Sequence, residues 1–207
     1  MHLTGTADQI MAAVVAEHPD VLDALETAQC SVKWSKRQVW PHEAAVLYAL
    51  AKAADGGRIL EVGTAYGYST AVMAEAAPHA EIVTLNPKPG EYEQARDALA
   101  SWPNVRVVQA HSLDFLAEHN GLPIDLVFVD GSHIYEDVVV DCQWWRHVRM
   151  GALLLCHDYS PEGSARATPG AYQAITEFGA RLGREPDVLV VDDRQVGMAG
   201  WYRRESE

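Results

Sequence analysis

From Arg58 onward the chain repeats one pattern: an apolar run of about five residues, a loop, a helical stretch, and another apolar run. The runs lie at residues 58–62, 81–85, 105–109, 125–129 and 152–156. Helical stretches follow at 69–77, 91–102, 113–119, 135–148 and 171–182. Short, uniformly apolar strands alternating with helices can bury both faces only as a parallel sheet covered on each side. Two last runs, 188–191 and 195–202, are joined through Asp192-Asp193 and close the sheet. The pattern predicts one doubly wound α/β domain with seven strands. Ahead of it, residues 6–25 read as helix broken near Pro19, and residues 27–41 as irregular. Residues 42–53 read as a helix with Ala45, Leu47, Leu50 and Ala51 inward, ended by Asp55-Gly56-Gly57. Residues 1–57 are expected to cover the site, and residues 58–207 to form its base as one compact unit. The loop at 160–170 is rich in Gly, Ser and Pro and suits a lid.

Ligands of such sheets sit beyond the carboxyl ends of the strands. The first strand end is Ile59 to Thr70, ILEVGTAYGYST. Gly63 and Gly67 permit backbone angles closed to other residues, and Gly63 is expected to let a ligand approach the main chain. On that expectation Gly63→Val folds but does not bind. The helix opening at Ser69 offers unpaired N–H groups to an anionic group. Glu61 disfavours a bare phosphate and favours a ligand carrying an ammonium and hydroxyls. The third glycine of a dinucleotide fingerprint and the lysine of a P-loop are both missing.

Glu61-x-Gly63-x-x-x-Gly67-Tyr68-Ser69 resembles motif I of the class I S-adenosylmethionine-dependent methyltransferases, whose sheet is Rossmann-like with an antiparallel last strand. Its Gly-Tyr-Ser ending is similar to the divalent-metal-dependent O-methyltransferases acting on catechols and caffeoyl thioesters. The resemblance covers residues 38–178. It implies that Ser69 and the helix start hold the cofactor's methionine carboxylate, with Glu61 on the ammonium side and Gly63, Tyr66 and Gly67 in the surrounding loop. The family's ribose-binding carboxylate is missing here: one register places Thr84 there, another Asn86. Asn86 can still accept and donate one hydrogen bond, without charge assistance. His111 and Ser112 fall where relatives contact adenine.

The resemblance further implies Asp130 as a metal ligand beside the cofactor and His133 as general base. Relatives of the catechol type carry lysine at the position of His133, whereas natural-product sugar and macrolide methyltransferases can carry histidine. A histidine suits a base working near neutral pH. His157 and Asp158 occupy the family's second metal position. With Asp130 they form a nitrogen and oxygen set compatible with magnesium, manganese, iron or zinc. Trp34, Trp40 and Tyr159 are candidate walls for a flat or sugar-like acceptor. Trp144 and Trp145 read as packing.

The net charge of −13 argues against nucleic acid or an anionic membrane as a partner. No apolar run reaches the ~18 residues of a membrane span, and no basic region precedes the first apolar stretch. The three cysteines are unclustered, which fits reduced thiols in the cytoplasm. The expectation is a cytoplasmic, homodimeric enzyme that methylates a hydroxyl of a small molecule. Two rivals stay open: a methyltransferase working without metal, and a non-catalytic nucleoside-binding or partner-binding protein. A nucleotide-sugar or NAD enzyme is disfavoured by the glycine spacing.

Overall fold

The computed structural model describes residues 1–33, 35, 38–193 and 197–205. The expected helix and strand alternation is present. It runs β2 (Arg58–Val62), α4 (Tyr68–Ala76), β3 (Glu81–Leu85), α5 (Pro89–Ala98), β4 (Val105–Val108), α6 (Ser112–Glu118), β5 (Ile124–Val129), α7 (Tyr135–Asp141) and β6 (Val148–His157). Then come α8 (Ser164–Ala167), α9 (Pro169–Leu182), β7 (Val188–Asp192) and β8 (Gly197–Tyr202). Before it lie β1 (His2–Gly5), α1 (Ala7–Glu17), α2 (Val21–Ser31) and α3 (Pro41–Ala53).

The sheet has eight strands, in the order β1-β7-β8-β6-β5-β2-β3-β4. Among the described residues, only β8 runs antiparallel to its neighbours, β6 and β7. The eighth strand is β1, which pairs parallel to β7. Its four residues carry no recognisable apolar pattern. They are held by the exposed edge of β7, with the Leu189 N–H donating to the Met1 carbonyl. Three boundaries also differ from expectation. Helix α2 continues to Ser31, and the helix expected over 135–148 tightens into a 3-10 turn at Cys142–His147. The lid expected at 160–170 contains the short helix α8.

Alternate residues of the central strands feed two apolar layers. Ile59, Leu126, Phe128, Leu153 and Leu155 face the layer of α1 to α5. Leu60, Val127, Val129, Leu154 and Cys156 face the layer of α7 and α9. Helix α3 is buried continuously from His42 to Ala51, not along one stripe as its periodicity predicts. Its alanines allow α1, α2 and α4 to close round it. Trp144 is wholly buried and Trp145 packs edge-on to Phe178, so both are packing residues as expected.

Two strand pairings position the site. Strand β2 lies between β3 and β5, and the chain reverses its winding direction there. The crevice beyond the ends of β2 and β5 is therefore the topological switch point. Gly63 and Asp130 meet at that crevice.

Candidate active site

Glu61, next to last in β2, is fully buried. Its Oε1 accepts from Ser69 Oγ at 2.5 Å, and its Oε2 accepts from Thr84 Oγ1 at 2.5 Å and from Thr70 Oγ1. Burial pushes the carboxyl up to about 7, against the pull of the three hydroxyls. Strand β2, helix α4 and strand β3 are thereby laced together under the loop. Ser69 and Thr84 thus turn their hydroxyls toward Glu61. What α4 offers outward is its first-turn backbone N–H groups. Thr64 Oγ1 lies 2.6 Å from Thr84 Oγ1 and extends the same network.

Gly63 and Gly67 both have positive φ, +109° and +96°. The close approach at Gly63 is made by protein: a Cβ there would lie 2.1 Å from the Asp130 carbonyl oxygen. The expectation that Gly63→Val would fold is therefore corrected. Tyr66 is half-buried under the Lys33 ammonium, 5.4 Å from the ring centre. Asn86 is buried, donating Nδ2 to the Ala65 carbonyl at 3.1 Å and accepting from the Lys88 N–H at 3.0 Å. Ser112 Oγ accepts from Trp144 Nε1 at 2.9 Å, inside the α7 layer. His111, just before α6, is exposed.

Beyond β5 and β6 lies a cluster of charged groups. His133 Nε2 is 2.9 Å from Asp158 Oδ2. His157 Nδ1 is 3.3 Å from Asp130 Oδ1 and 3.7 Å from Asp158 Oδ1. Its Nε2 is 3.1 Å from Oε1 of Glu43 on α3. Asp130, His133 and Asp158 bring one ligand atom each within 4.8 Å of one another. Asp158 is held at φ +61°, an angle uncommon outside glycine. Ser132 Oγ donates to Asp137 and fixes the loop that carries His133.

The charges order themselves through these contacts. Burial pushes the Asp158 carboxyl up, but the hydrogen bond from His133 and the nearby His157 ring outweigh it and hold it well below the carboxylate range. Burial raises Asp130, and the nearby His157 only partly offsets this. Burial would lower His157, but the Glu43 and Asp130 carboxylates raise it well above the ordinary value. The bond to Asp158 raises His133.

Among the acceptor-wall candidates, Trp40 is 45% exposed at the start of α3, and Tyr159 stacks on Tyr172 with centroids 5.3 Å apart. Trp34 lies outside the described residues. A cavity of about 320 Å³ at the opposite rim, lined by Asp125, Arg149 and Tyr202 among others, contains none of these groups.

The methyltransferase domain family matches residues 60–159, the span that holds Glu61, Gly63, Asn86, Asp130, His133, His157 and Asp158. The catechol O-methyltransferase of Mycobacterium tuberculosis is 30% identical over 195 residues, covering 91% of this chain and 87% of that protein. The chain belongs to the class I S-adenosylmethionine-dependent O-methyltransferases. A catechol O-methyltransferase of Niastella koreensis is 28% identical over 205 residues, with 93% and 91% covered. The cofactor-bound crystal structure of Rv0187 from MTB superposes with a TM-score of 0.68 at 28% identity, covering 93% of this chain and 91% of that one.

The methyltransferase's motif loop accounts for its glycines and hydroxyls by internal contacts, and two expected results follow. Glu61 releases its proton on unfolding at any pH between its ordinary 4.5 and about 7. Stability without cofactor therefore falls as pH rises through that window, by up to about 3 kcal/mol. Urea titrations at pH 5 and pH 8 should show this fall diminished in Glu61→Gln; an equal fall in both proteins would refute it. Asn86→Asp removes the donor to Ala65 and sets a carboxylate against that carbonyl. Sequence reasoning alone expects this change to tighten cofactor binding. With Nδ2 holding the motif loop through Ala65, the expected outcome is the opposite: the repelled carbonyl shifts the loop and affinity for S-adenosylhomocysteine weakens, by about 1–3 kcal/mol, the scale of an unpaired buried acceptor. Calorimetric titration checks it.

Glu43, His42 and Asp192 escaped sequence reasoning. His42 Nε2 lies 3.4 Å from Asp192 Oδ2 without an aligned hydrogen bond, so the first turn of α3 lies beside the end of β7 while it bonds to that of β6. The one available signal was Trp40-Pro41-His42-Glu43, which reads as a helix start with its capping glutamate.

Proposed function

We propose that the enzyme transfers the methyl group of S-adenosylmethionine to a hydroxyl of a small acceptor, with catechols as the first class to test. The observation that carries this reading is the convergence of Asp130, His133 and Asp158 at the switch point, with Asp130 packed on the motif loop. The family origin of the chain and the names of its relatives support the acceptor class.

Two features of the donor set fit a divalent cation. Two carboxylates face one another across less than 5 Å. His157 Nδ1 is buried, aimed at both, and has no aligned hydrogen-bond partner. Asp130, His157 and Asp158 would hold the ion, with His157 giving up its Nδ1 proton as the ion binds. When bound, the ion supplies positive charge that lowers the pKa of an acceptor hydroxyl, and S-adenosylmethionine supplies the electrophilic methyl. His133 is 59% exposed on its side chain and open to the acceptor. Its Nε2–H donates to Asp158, which leaves Nδ1 as the basic nitrogen that takes the hydroxyl proton. The motif loop and the start of α4 hold the cofactor, with Asn86 and His111 at its rim. Residues 1–57, through Trp40, and Tyr159 shape the acceptor side. Holding both reactants in line provides most of the remaining acceleration.

One observation favours a metal-independent version: His133 and Asp158 already form a histidine–carboxylate pair that could act alone. Methyl uptake from S-adenosylmethionine onto catechol, before and after chelation and with magnesium restored, separates the two. Turnover lost on chelation and recovered with metal supports the ion. Full turnover after chelation removes it. If S-adenosylhomocysteine does not bind in calorimetry, the whole reading falls.

A further inference from the structure

We infer that Glu43, on a helix remote in sequence from the methyltransferase motifs, is a positioning residue that holds His157 from behind and so sets the geometry of Asp130 and Asp158. The inference rests on the reading of those carboxylates as part of the methyl-transfer centre.

Glu43 is fully buried, and α3 is buried on every side around it. A carboxylate placed there costs several kcal/mol unless it is paired and hydrogen-bonded. Capping accounts for only half of it: Oε2 accepts from the Trp40 N–H at 2.9 Å. Glutamine would serve that purpose without burying a charge. The other oxygen, Oε1, meets His157 Nε2 at 3.1 Å across 114 residues of sequence. That contact fixes which ring nitrogen carries hydrogen toward Glu43 and turns Nδ1 toward Asp130 and Asp158. A carboxylate behind a histidine whose far nitrogen faces the reacting groups is the arrangement by which proteins orient such a ring.

The same carboxylate has a second consequence. Trp40, the exposed aromatic of the acceptor side, hangs from Glu43 through its backbone N–H. One residue thus joins the acceptor wall to the carboxylate pair, so the N-terminal segment and the sheet cannot shift independently at this point.

The test is a double-mutant cycle with Glu43→Gln, His157→Gln and the pair, using methyl transfer to catechol. Glu43→Gln should lower kcat by about 10–100-fold, the scale of lost orienting partners. It should leave the dissociation constant of S-adenosylhomocysteine and the KM of S-adenosylmethionine unchanged. In the His157→Gln background it should have little further effect, because Glu43 acts through that ring. Glu43→Asp, which keeps the charge but shortens the reach, should recover part of the loss. A readout independent of turnover is the His157 Nε2 proton in spectra of ¹⁵N-histidine-labelled protein. It should exchange slowly in wild type and faster in Glu43→Gln. Wild-type kcat in Glu43→Gln overturns the inference. So does a loss that is additive with His157→Gln, or one that falls equally on cofactor binding and thermal stability. If Glu43→Gln does not fold, Glu43→Asp replaces it in the cycle under the same criteria. Asp130→Asn separates the inference from the reading beneath it: full activity in that variant refutes the site itself, whatever Glu43 does.

Discussion

Replacing His133 with alanine is expected to lower kcat by about 10²–10⁴-fold, the usual contribution of a general base, while S-adenosylhomocysteine binds as before. His133 stands on the loop after β5, outside the motif-I strand and helix, so its removal leaves the cofactor loop intact. The pH profile carries the sharper part of the expectation. Asp158 hydrogen-bonds the ring and raises its pKa. A base must be neutral to accept a proton, so turnover should rise with pH, and the midpoint should lie above the ordinary histidine value of about 6.5. Asp158→Asn removes the group that raises it and should move the limb of any residual activity to lower pH. In His133→Ala the limb should vanish. A His133→Ala enzyme with the wild-type rate, or an unchanged limb in it, would assign the proton to another group.

Gly63→Ala is expected to cost stability and activity together. At φ +109° a side chain is strained wherever it points. Here its Cβ would also lie 2.1 Å from the Asp130 carbonyl oxygen and 2.7 Å from the Gly131 Cα. Both are backbone atoms at the end of β5, and they can yield only if that strand end moves. Such overpacking costs about 1–3 kcal/mol, to which the backbone strain adds a comparable amount. For a chain of this length that lowers the melting temperature by roughly 4–24 °C, at about 2–4 °C per kcal/mol. Because the displaced residue is Asp130, kcat should fall even at temperatures where the variant stays folded. Thermal melts and assays at 15 °C measure the two effects. A variant with wild-type melting and turnover would mean that the two strand ends are not in contact.

Sheet and helix order follow directly from the sequence, because a five-residue apolar run between helices has one economical way to bury both faces. LVFV at Leu126–Val129 and ALLLC at Ala152–Cys156 are of this kind, and each enters the sheet with alternate residues in opposite layers. The positions of Gly63, Asp130, His133, His157 and Asp158 at strand ends were legible for the same reason: the ends of parallel strands converge. Strand β1 was not legible, because His2–Gly5 is a strand only through the free edge of β7.

At the site, what chemistry is present was written in the local sequence, but which groups pair was not. Ser69 and Thr84 read as ligands of a cofactor, yet their hydroxyls turn to Glu61, since a buried carboxylate takes every donor within reach. Gly63 read as room for a ligand, yet the room is filled by Asp130. Glu43 read as an ordinary helix start. Its meeting with His157 depends on how α3 packs over the sheet, a contact between residues 114 apart that no periodicity or motif encodes. Sequence alone determined the alternation of strands and helices, a sheet covered on both faces and the side chains brought to one rim. Only the tertiary structure decided the hydrogen-bond partner of each buried group, because in a dry interior that choice is settled by distances of a few ångströms between segments far apart in the chain.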